Sequence, residues 1–432
     1  MNLIKGEHMI LKIAIVGFGN AGFQAVKAIR QLGKPAEIHV YSDKSLPPSN
    51  PMLTTYYVKE SIPYDAMFPY GFMKQIQAEY GIVFHADTPV YAIDGPKRAV
   101  LFMDGSREIF DRILIATGAL PFLPSTGWAG LERVMVMRTP EDACRLKETL
   151  DKQDIKSILV VGASMIGIKI AELARQRGIR CTMVDGAPYM FPMAAFESTA
   201  DRVQQFLTDK GTLLSFSALL SDIRQDFGNR LTAVMKDGRT FTADIILVCI
   251  GTRANTACIR DDSIKVNRGI LVDSRMMTNC EGVYAAGDCS EGYELQSGIP
   301  KIIGLWANAG YQGRTAGINM AGGQETFKHG LLCNISHFMG MDFIGMGDAS
   351  GLDEQDEVYE YEKGSLYLKA VKRNGTIKCI NMLDGAPVSG IIKNYFMKIL
   401  DGRVGGMDMQ LYGILVGAGI PGEFIGFMGG KC

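Results

Sequence analysis

Two short glycine-rich segments, 145 positions apart, constrain this chain more than anything else in it. The first reads Ile13-Ala14-Ile15-Val16-Gly17-Phe18-Gly19-Asn20-Ala21-Gly22; the second reads Ile158-Leu159-Val160-Val161-Gly162-Ala163-Ser164-Met165-Ile166-Gly167. Each is a run of buried-strand type that ends at a glycine, with a helical pattern opening two or three residues later. The spacing has a mechanical reason. One glycine makes the tight turn, a second small position lets backbone approach a pyrophosphate, and the last glycine lets helix pack on strand. The helix N-terminus then faces the phosphate charge. A single such segment also occurs in ordinary α/β proteins. Two of them, each led by a strand, imply two dinucleotides on one chain, the arrangement a two-cofactor electron carrier needs.

At 432 residues the chain is too long for one core, so two or three domains are expected. A charged fraction of 21% with net charge −1 argues against nucleic acid or an anionic membrane surface as the main partner. The nine cysteines, from Cys144 to Cys432, are dispersed and contain no Cys-x-x-Cys. Their spacing therefore offers neither an iron–sulfur ligand set nor a redox dithiol. Dispersed thiols suit a reducing compartment. Met1 to Lys12 lacks a signal-peptide core, and no apolar run reaches transmembrane length, so a cytoplasmic protein without a transmembrane segment is expected. His8, His39, His85, His329 and His337 show no metal-ligand spacing, and no metal site is expected.

The periodicity predicts a strand at 11–16, a helix from Asn20 to Leu32 and a strand at 37–41, with Ala21, Ala25, Ala28 and Ile29 as a small apolar face for a sheet. A buried strand follows at Ile113 and ends in the small turn Ala116-Thr117-Gly118, with Pro121 and Pro124 just beyond. The plan then repeats: a helix from Met165 to Arg177, a strand from Arg180 to Val184 ending on Asp185, and a run from Ile245 to Gly251 and Thr252. A second βαβ unit is thus inserted in the first, to which the chain returns at Val283-Tyr284-Ala285-Ala286-Gly287-Asp288. After about residue 330, strands alternate around a hairpin turn at Asn374-Gly375. The expected fold is α/β, with two Rossmann-like dinucleotide-binding domains and a small C-terminal α+β domain. The expected bounds are 10–120 with 251–325, then 121–250, then 326–432.

These residues, over roughly 10–325, resemble the FAD- and NAD(P)-dependent pyridine nucleotide–disulfide oxidoreductase superfamily. Within it they are most similar to nitrite reductase flavin domains, rubredoxin and ferredoxin reductases, and flavoprotein subunits of 2-oxoacid oxidoreductases such as phenylglyoxylate dehydrogenase. Leu305-Trp306-Ala307-Asn308-Ala309-Gly310-Tyr311-Gln312-Gly313 and Phe343-Ile344-Gly345-Met346-Gly347-Asp348 support that branch. The resemblance implies that Gly17, Gly19, Asn20, Ala21 and Gly22 hold an FAD pyrophosphate. Ser42 or Asp43 would take its ribose, and Ala116, Thr117, Gly118, Gly251, Gly287 and Asp288 would line the cofactor. A helix from about Ala307 would aim its N-terminus at the flavin, and Trp306 would either contact the flavin region or simply pack. Gly162, Ser164, Met165, Ile166 and Gly167 would hold the nicotinamide dinucleotide. Asp185 at the strand end favours a free 2′-hydroxyl over a 2′-phosphate, hence NADH over NADPH.

The departures from the family pattern carry as much. Relatives that reduce disulfides or peroxides carry a cysteine near the flavin, yet residues 44–80 contain none. Without that thiolate the disulfide mechanism is lost. Relatives place a cation where Asn50 stands and a glutamate where Lys169 stands, so Lys169 is the candidate cation near flavin or nicotinamide. Tyr56 and Tyr57 are candidates to line the ring face. The implied activity is NADH oxidation by FAD with electrons passed to, or taken from, an electron-transfer protein or an iron–sulfur partner subunit. A homodimer or a hetero-oligomer subunit is the expected assembly. An NADH:quinone reductase, an NADH oxidase and a non-catalytic flavin or NADH scaffold are the alternatives.

Overall fold

The computed structural model describes residues 10–152, 154–226, 228, 230–328, 330–403 and 406–429; His8, His329 and Cys432 lie outside the described residues. The chain divides into two compact units. One comprises the described residues of Met1–Leu53, Ile62–Leu120 and Thr252–Gly330, the other those of Thr54–Ser61, Pro121–Gly251 and Leu331–Cys432.

The first unit is built on five parallel strands in the order Val283–Ala285, Arg112–Ile115, Leu11–Val16, Ala36–Tyr41, Ile82–His85. Ile13, Ile15, Ile38, Val40, Ile113 and Leu114 are fully buried, which is why these strands read as unbroken apolar runs. Strand Leu11–Val16 has a neighbour on each side, in register Ile13 to Ile38 and Ile13 to Arg112. The connections leave it in opposite directions, so the crevice for a ligand opens at its C-terminal end, where Gly17 begins. A three-stranded antiparallel meander (Val90–Asp94, Ala99–Phe102, Arg107–Ile109) precedes strand Arg112–Ile115. The small residues Ala21 and Ala25 face helix Trp306–Met320 rather than a sheet. A Cβ on Gly313 would lie 2.1 Å from the Ala21 carbonyl oxygen, and one on Gly317 2.4 Å from that of Ala25. The two helices touch backbone to backbone.

The second unit repeats the strand order: Val134–Met135, Ile245–Val248, Ser157–Val161, Arg180–Val184, Leu213–Ser215, all parallel. Its own meander (Leu220–Gln225, Leu231–Met235, Thr240–Ala243) again precedes the strand that pairs with the central one. The C-terminal part carries a five-stranded antiparallel sheet in the order Cys333–Phe338, Met341–Gly347, Thr376–Leu383, Leu366–Arg373, Glu357–Lys363. Asn374 and Gly375 both take positive φ, 52° and 73°, and form the two-residue hairpin turn. Helices Ala386–Leu400, Met409–Gly417 and Gly422–Phe427 follow, with Ile392, Phe396, Leu415 and Phe424 buried in one cluster with Ile344, Leu368 and Ile380. Among the described residues no helix is long and apolar enough to cross a membrane.

Candidate dinucleotide sites

The two glycine turns have the same geometry. Gly17 and Gly162 sit at φ +95° and +110°, open to glycine and costly for other residues. A Cβ there would stand 2.4 Å from the carbonyl oxygen of Ala116 in the first and of Cys249 in the second. Gly17 N–H donates to Tyr41 O and Gly162 N–H to Val184 O, both at 2.8 Å. At the last glycine, a Cβ on Gly22 would lie 2.5 Å from Gly17 O, and one on Gly167 2.3 Å from Gly162 O. The middle position differs. A Cβ on Gly19 would meet no protein atom within 4 Å, so packing does not require glycine there. Its counterpart Ser164 caps helix Met165–Gln176 by accepting from Gly167 N–H at 3.2 Å. Met165 and Ile166 stand half-buried in that first turn.

The matched turns align the strand ends. Asp185 follows Val184 as Ser42 follows Tyr41. The Asp185 carboxylate accepts from Ala163 N–H at 2.7 Å and Ala187 N–H at 2.8 Å, which ties it to the second glycine turn. Ser42 is nearly buried and its Oγ accepts from Lys44 N–H at 3.1 Å; Asp43 is exposed. Ser42 thus occupies the place that Asp185 occupies in the second unit.

Around the first turn the structure brings Asn20, Trp306 and Tyr70 together. Asn20 Nδ2 donates to Trp306 O at 2.5 Å, its Oδ1 accepts from Tyr70 Oη at 2.6 Å, and the Trp306 and Tyr70 rings stack at 5.8 Å. Asn20 therefore spends its side chain on protein. The Trp306 indole Nε1, by contrast, is buried with no hydrogen-bond partner. Gly287 N–H donates to the buried Gln312 at 2.8 Å, and Asp288 lies beside Gly304. Thr117 Oγ1 donates to Asn255 O at 2.6 Å, Ala116 is buried, and Gly118 and Gly251 take positive φ. Asn50, at the family's cation position, accepts from Met52 N–H within its own turn.

In the second unit Lys169 is buried, as are its neighbours. Its Nζ donates to His337 O and lies 3.3 Å from Tyr56 Oη and 3.8 Å from Glu172 Oε2. Lys59 pairs with the same Glu172 oxygen at 2.6 Å, and both ammonium groups lie over the Tyr56 ring. Burial raises the Glu172 carboxyl, but the Lys59 hydrogen bond, the Met339 N–H and the Lys169 charge outweigh it and hold it below the usual range. Sequence reasoning missed Tyr70, Gln312, Lys59 and Glu172. Glu172 stands an i,i+3 step from Lys169, but the other partners of these residues lie tens to more than a hundred positions away, where no local pattern marks them.

Residues 11–313 match the pyridine nucleotide-disulphide oxidoreductase family. The chain belongs to that family. It is 26% identical over 343 residues to an NADH oxidase of Methanocaldococcus jannaschii, covering 78% of this chain and 76% of that one. It is 28% identical to a rubredoxin-NAD(+) reductase of Ectopseudomonas oleovorans over 65% of this chain and 72% of the relative. Its identity to the epsilon subunit of an NADH-dependent phenylglyoxylate dehydrogenase of Aromatoleum evansii is 26%, over 83% and 85%. The solved structure of a water-forming NADH oxidase from Lactobacillus brevis bound to NADH, 20% identical, shares the fold with a TM-score of 0.81 over 90% of this chain and 91% of that one.

For a pyridine nucleotide-disulphide oxidoreductase the cysteines decide much. Every described cysteine is free, and all but the half-buried Cys144 are buried. Burial pushes the thiols of Cys181, Cys249 and Cys258 up to about 12, and raises those of Cys280, Cys289, Cys333 and Cys379 as well. Protonated, enclosed thiols are poor nucleophiles.

Proposed function

We propose that the chain is an FAD-dependent NADH oxidoreductase without a redox-active disulfide. It exchanges electrons with a protein carrying an iron–sulfur or rubredoxin-type centre, alone or as the flavoprotein subunit of a 2-oxoacid oxidoreductase-type complex. The observation that carries this reading is the pair of matched glycine turns, one in each unit, in a chain whose described thiols are almost all buried. Two features of the first unit suit FAD: the open space at Gly19 and the unpartnered N–H of Trp306.

In this reading the backbone of Gly17, Gly19, Asn20, Ala21 and Gly22 binds the FAD pyrophosphate, Ser42 takes the adenosine ribose, and Asp288 the ribityl region. Ala116, Thr117, Gly118, Gly251 and Gly287 keep backbone close to the cofactors. Gly162, Ser164, Met165, Ile166 and Gly167 bind NADH. Asp185, pinned by two N–H groups, presents a negative charge that repels a 2′-phosphate. Lys169 supplies a fixed cation one turn into the NADH-binding helix. When bound, the flavin links two-electron chemistry at the nicotinamide to one-electron chemistry at the acceptor. The metal centre is assigned to the partner, since the cysteine spacing here offers no ligand set. The same reading places the protein in the cytoplasm, as a homodimer or hetero-oligomer subunit, with no nucleic-acid partner.

The archaeal relative described as an NADH oxidase makes oxygen the rival acceptor. Stopped-flow reoxidation of the NADH-reduced protein separates the two. Faster reoxidation by a rubredoxin than by air-saturated buffer is expected, and the reverse order would favour the oxidase.

A further inference from the structure

The indole N–H of Trp306 is the feature that the reading above leaves with most to do. A buried donor without a partner costs roughly 1–3 kcal/mol, so native structures rarely keep one unless a ligand or water completes it. The groups that hold the indole are committed to protein, while Asn308 Oδ1, two residues on in the same helix turn, is like the indole N–H buried without a partner. Asn20, first residue of the helix that follows the phosphate turn, gives Nδ2 to Trp306 O at 2.5 Å and accepts the Tyr70 hydroxyl at 2.6 Å. Gln24, one turn along, donates to the Tyr70 oxygen at 3.1 Å. The Tyr70 ring is stacked between Phe23, at 3.9 Å, and Trp306, at 5.8 Å, both 14° from parallel. The indole is thus held by its carbonyl and by its face, while its N–H has no partner. Such rigid support is what a donor reserved for a ligand needs.

We propose that Trp306 Nε1–H is a hydrogen-bond donor to an oxygen of FAD, and that Asn20 and Tyr70 are positioning residues that join this donor to the phosphate turn. The proposal rests on the reading of the first unit as the FAD site and adds residues to it. The chain contains two tryptophans, and the other, Trp128, lies in the second unit with its N–H on Asp222 at 3.3 Å. Indole ¹⁵N-labelled protein therefore gives two signals, assigned with Trp306→Phe.

The test follows those signals as FAD is added back to flavin-stripped protein. The Trp306 signal is expected to shift and its N–H to become protected from solvent exchange, with Trp128 unmoved. Trp306→Phe and Tyr70→Phe are each expected to raise the FAD dissociation constant about tenfold, the loss of one buried hydrogen bond. Flavin-free Trp306→Phe gives up no protein hydrogen bond of the indole N–H and is expected to unfold close to the parent's midpoint, whereas flavin-free Tyr70→Phe is expected to unfold below it, because buried Asn20 loses its donor. FAD binding with an unchanged Trp306 N–H, or with parental affinity in Trp306→Phe, overturns the proposal and leaves the FAD site standing. Failure of the parent protein to bind FAD overturns the site itself.

Discussion

Gly19→Ala separates what the fold needs from what a phosphate needs. Gly19 caps helix Asn20–Gln31 at φ −86°, ψ −159°, an extended conformation that alanine adopts freely, and its added Cβ would meet no protein atom within 4 Å. Replacing glycine at a compatible backbone position stabilises by roughly 0.4–1 kcal/mol through the unfolded chain, and alanine is a poorer N-cap by a similar amount. The flavin-free protein should therefore change by less than about 0.5 kcal/mol. In the proposed FAD site the new methyl instead fills the space through which a pyrophosphate oxygen would reach the backbone. Overpacking of that kind costs about 1–3 kcal/mol, so FAD affinity should fall roughly tenfold to a hundredfold. Gly22→Ala is the contrast: its Cβ would lie 2.5 Å from Gly17 O and 3.2 Å from Ile15 Cγ2, so the fold itself must give. The assay pairs FAD fluorescence titration with urea unfolding of the flavin-free protein. Parental FAD affinity in Gly19→Ala, or a loss of stability as large as that of Gly22→Ala, would refute the reasoning.

Three further outcomes are expected. If Asp185 faces the adenosine ribose as proposed, Asp185→Ala should narrow the preference for NADH over NADPH by removing a charge that would repel a 2′-phosphate; kcat/KM for both nucleotides reads this. Glu172→Gln should destabilise the protein by about 3–5 kcal/mol in denaturant unfolding, since it leaves Lys59 and Lys169 buried without their carboxylate. The depressed Glu172 pKa has a matching pH signature: its stabilisation is present above the ordinary glutamate range near about pH 4.3 and is lost as pH falls through the lower folded value. Gly313→Ala should push helices Asn20–Gln31 and Trp306–Met320 apart, since its Cβ would stand 2.1 Å from Ala21 O, and so lower both thermal midpoint and flavin retention.

The parts of this architecture that were legible in the sequence are those that backbone geometry enforces locally. The turns at Gly17 and Gly162, the strand end at Asp185 and the Asn374-Gly375 hairpin depend on a few adjacent residues, and each stands where the spacing predicts it. Ala21 and Ala25 were legible as a small face but not by partner, because a helix that permits close approach and one that covers a sheet carry the same residues. The two meanders escaped notice, their short half-exposed strands giving little periodicity. The Lys59–Glu172–Lys169 group and the Asn20–Tyr70–Trp306 group were illegible for a different reason. Lys169 and Glu172 stand three positions apart on one helix, but the partners that complete each group lie 50 to 286 positions away, and that pairing is set by topology.

The central claim is that one flavin is the only two-electron centre and that NADH reduces it. An anaerobic titration of the purified protein with NADH, followed by flavin absorbance, tests it most directly. Complete bleaching after about one equivalent per FAD is the predicted result. Consumption of about two equivalents would reveal a second centre, and no bleaching at all would deny that NADH is the donor.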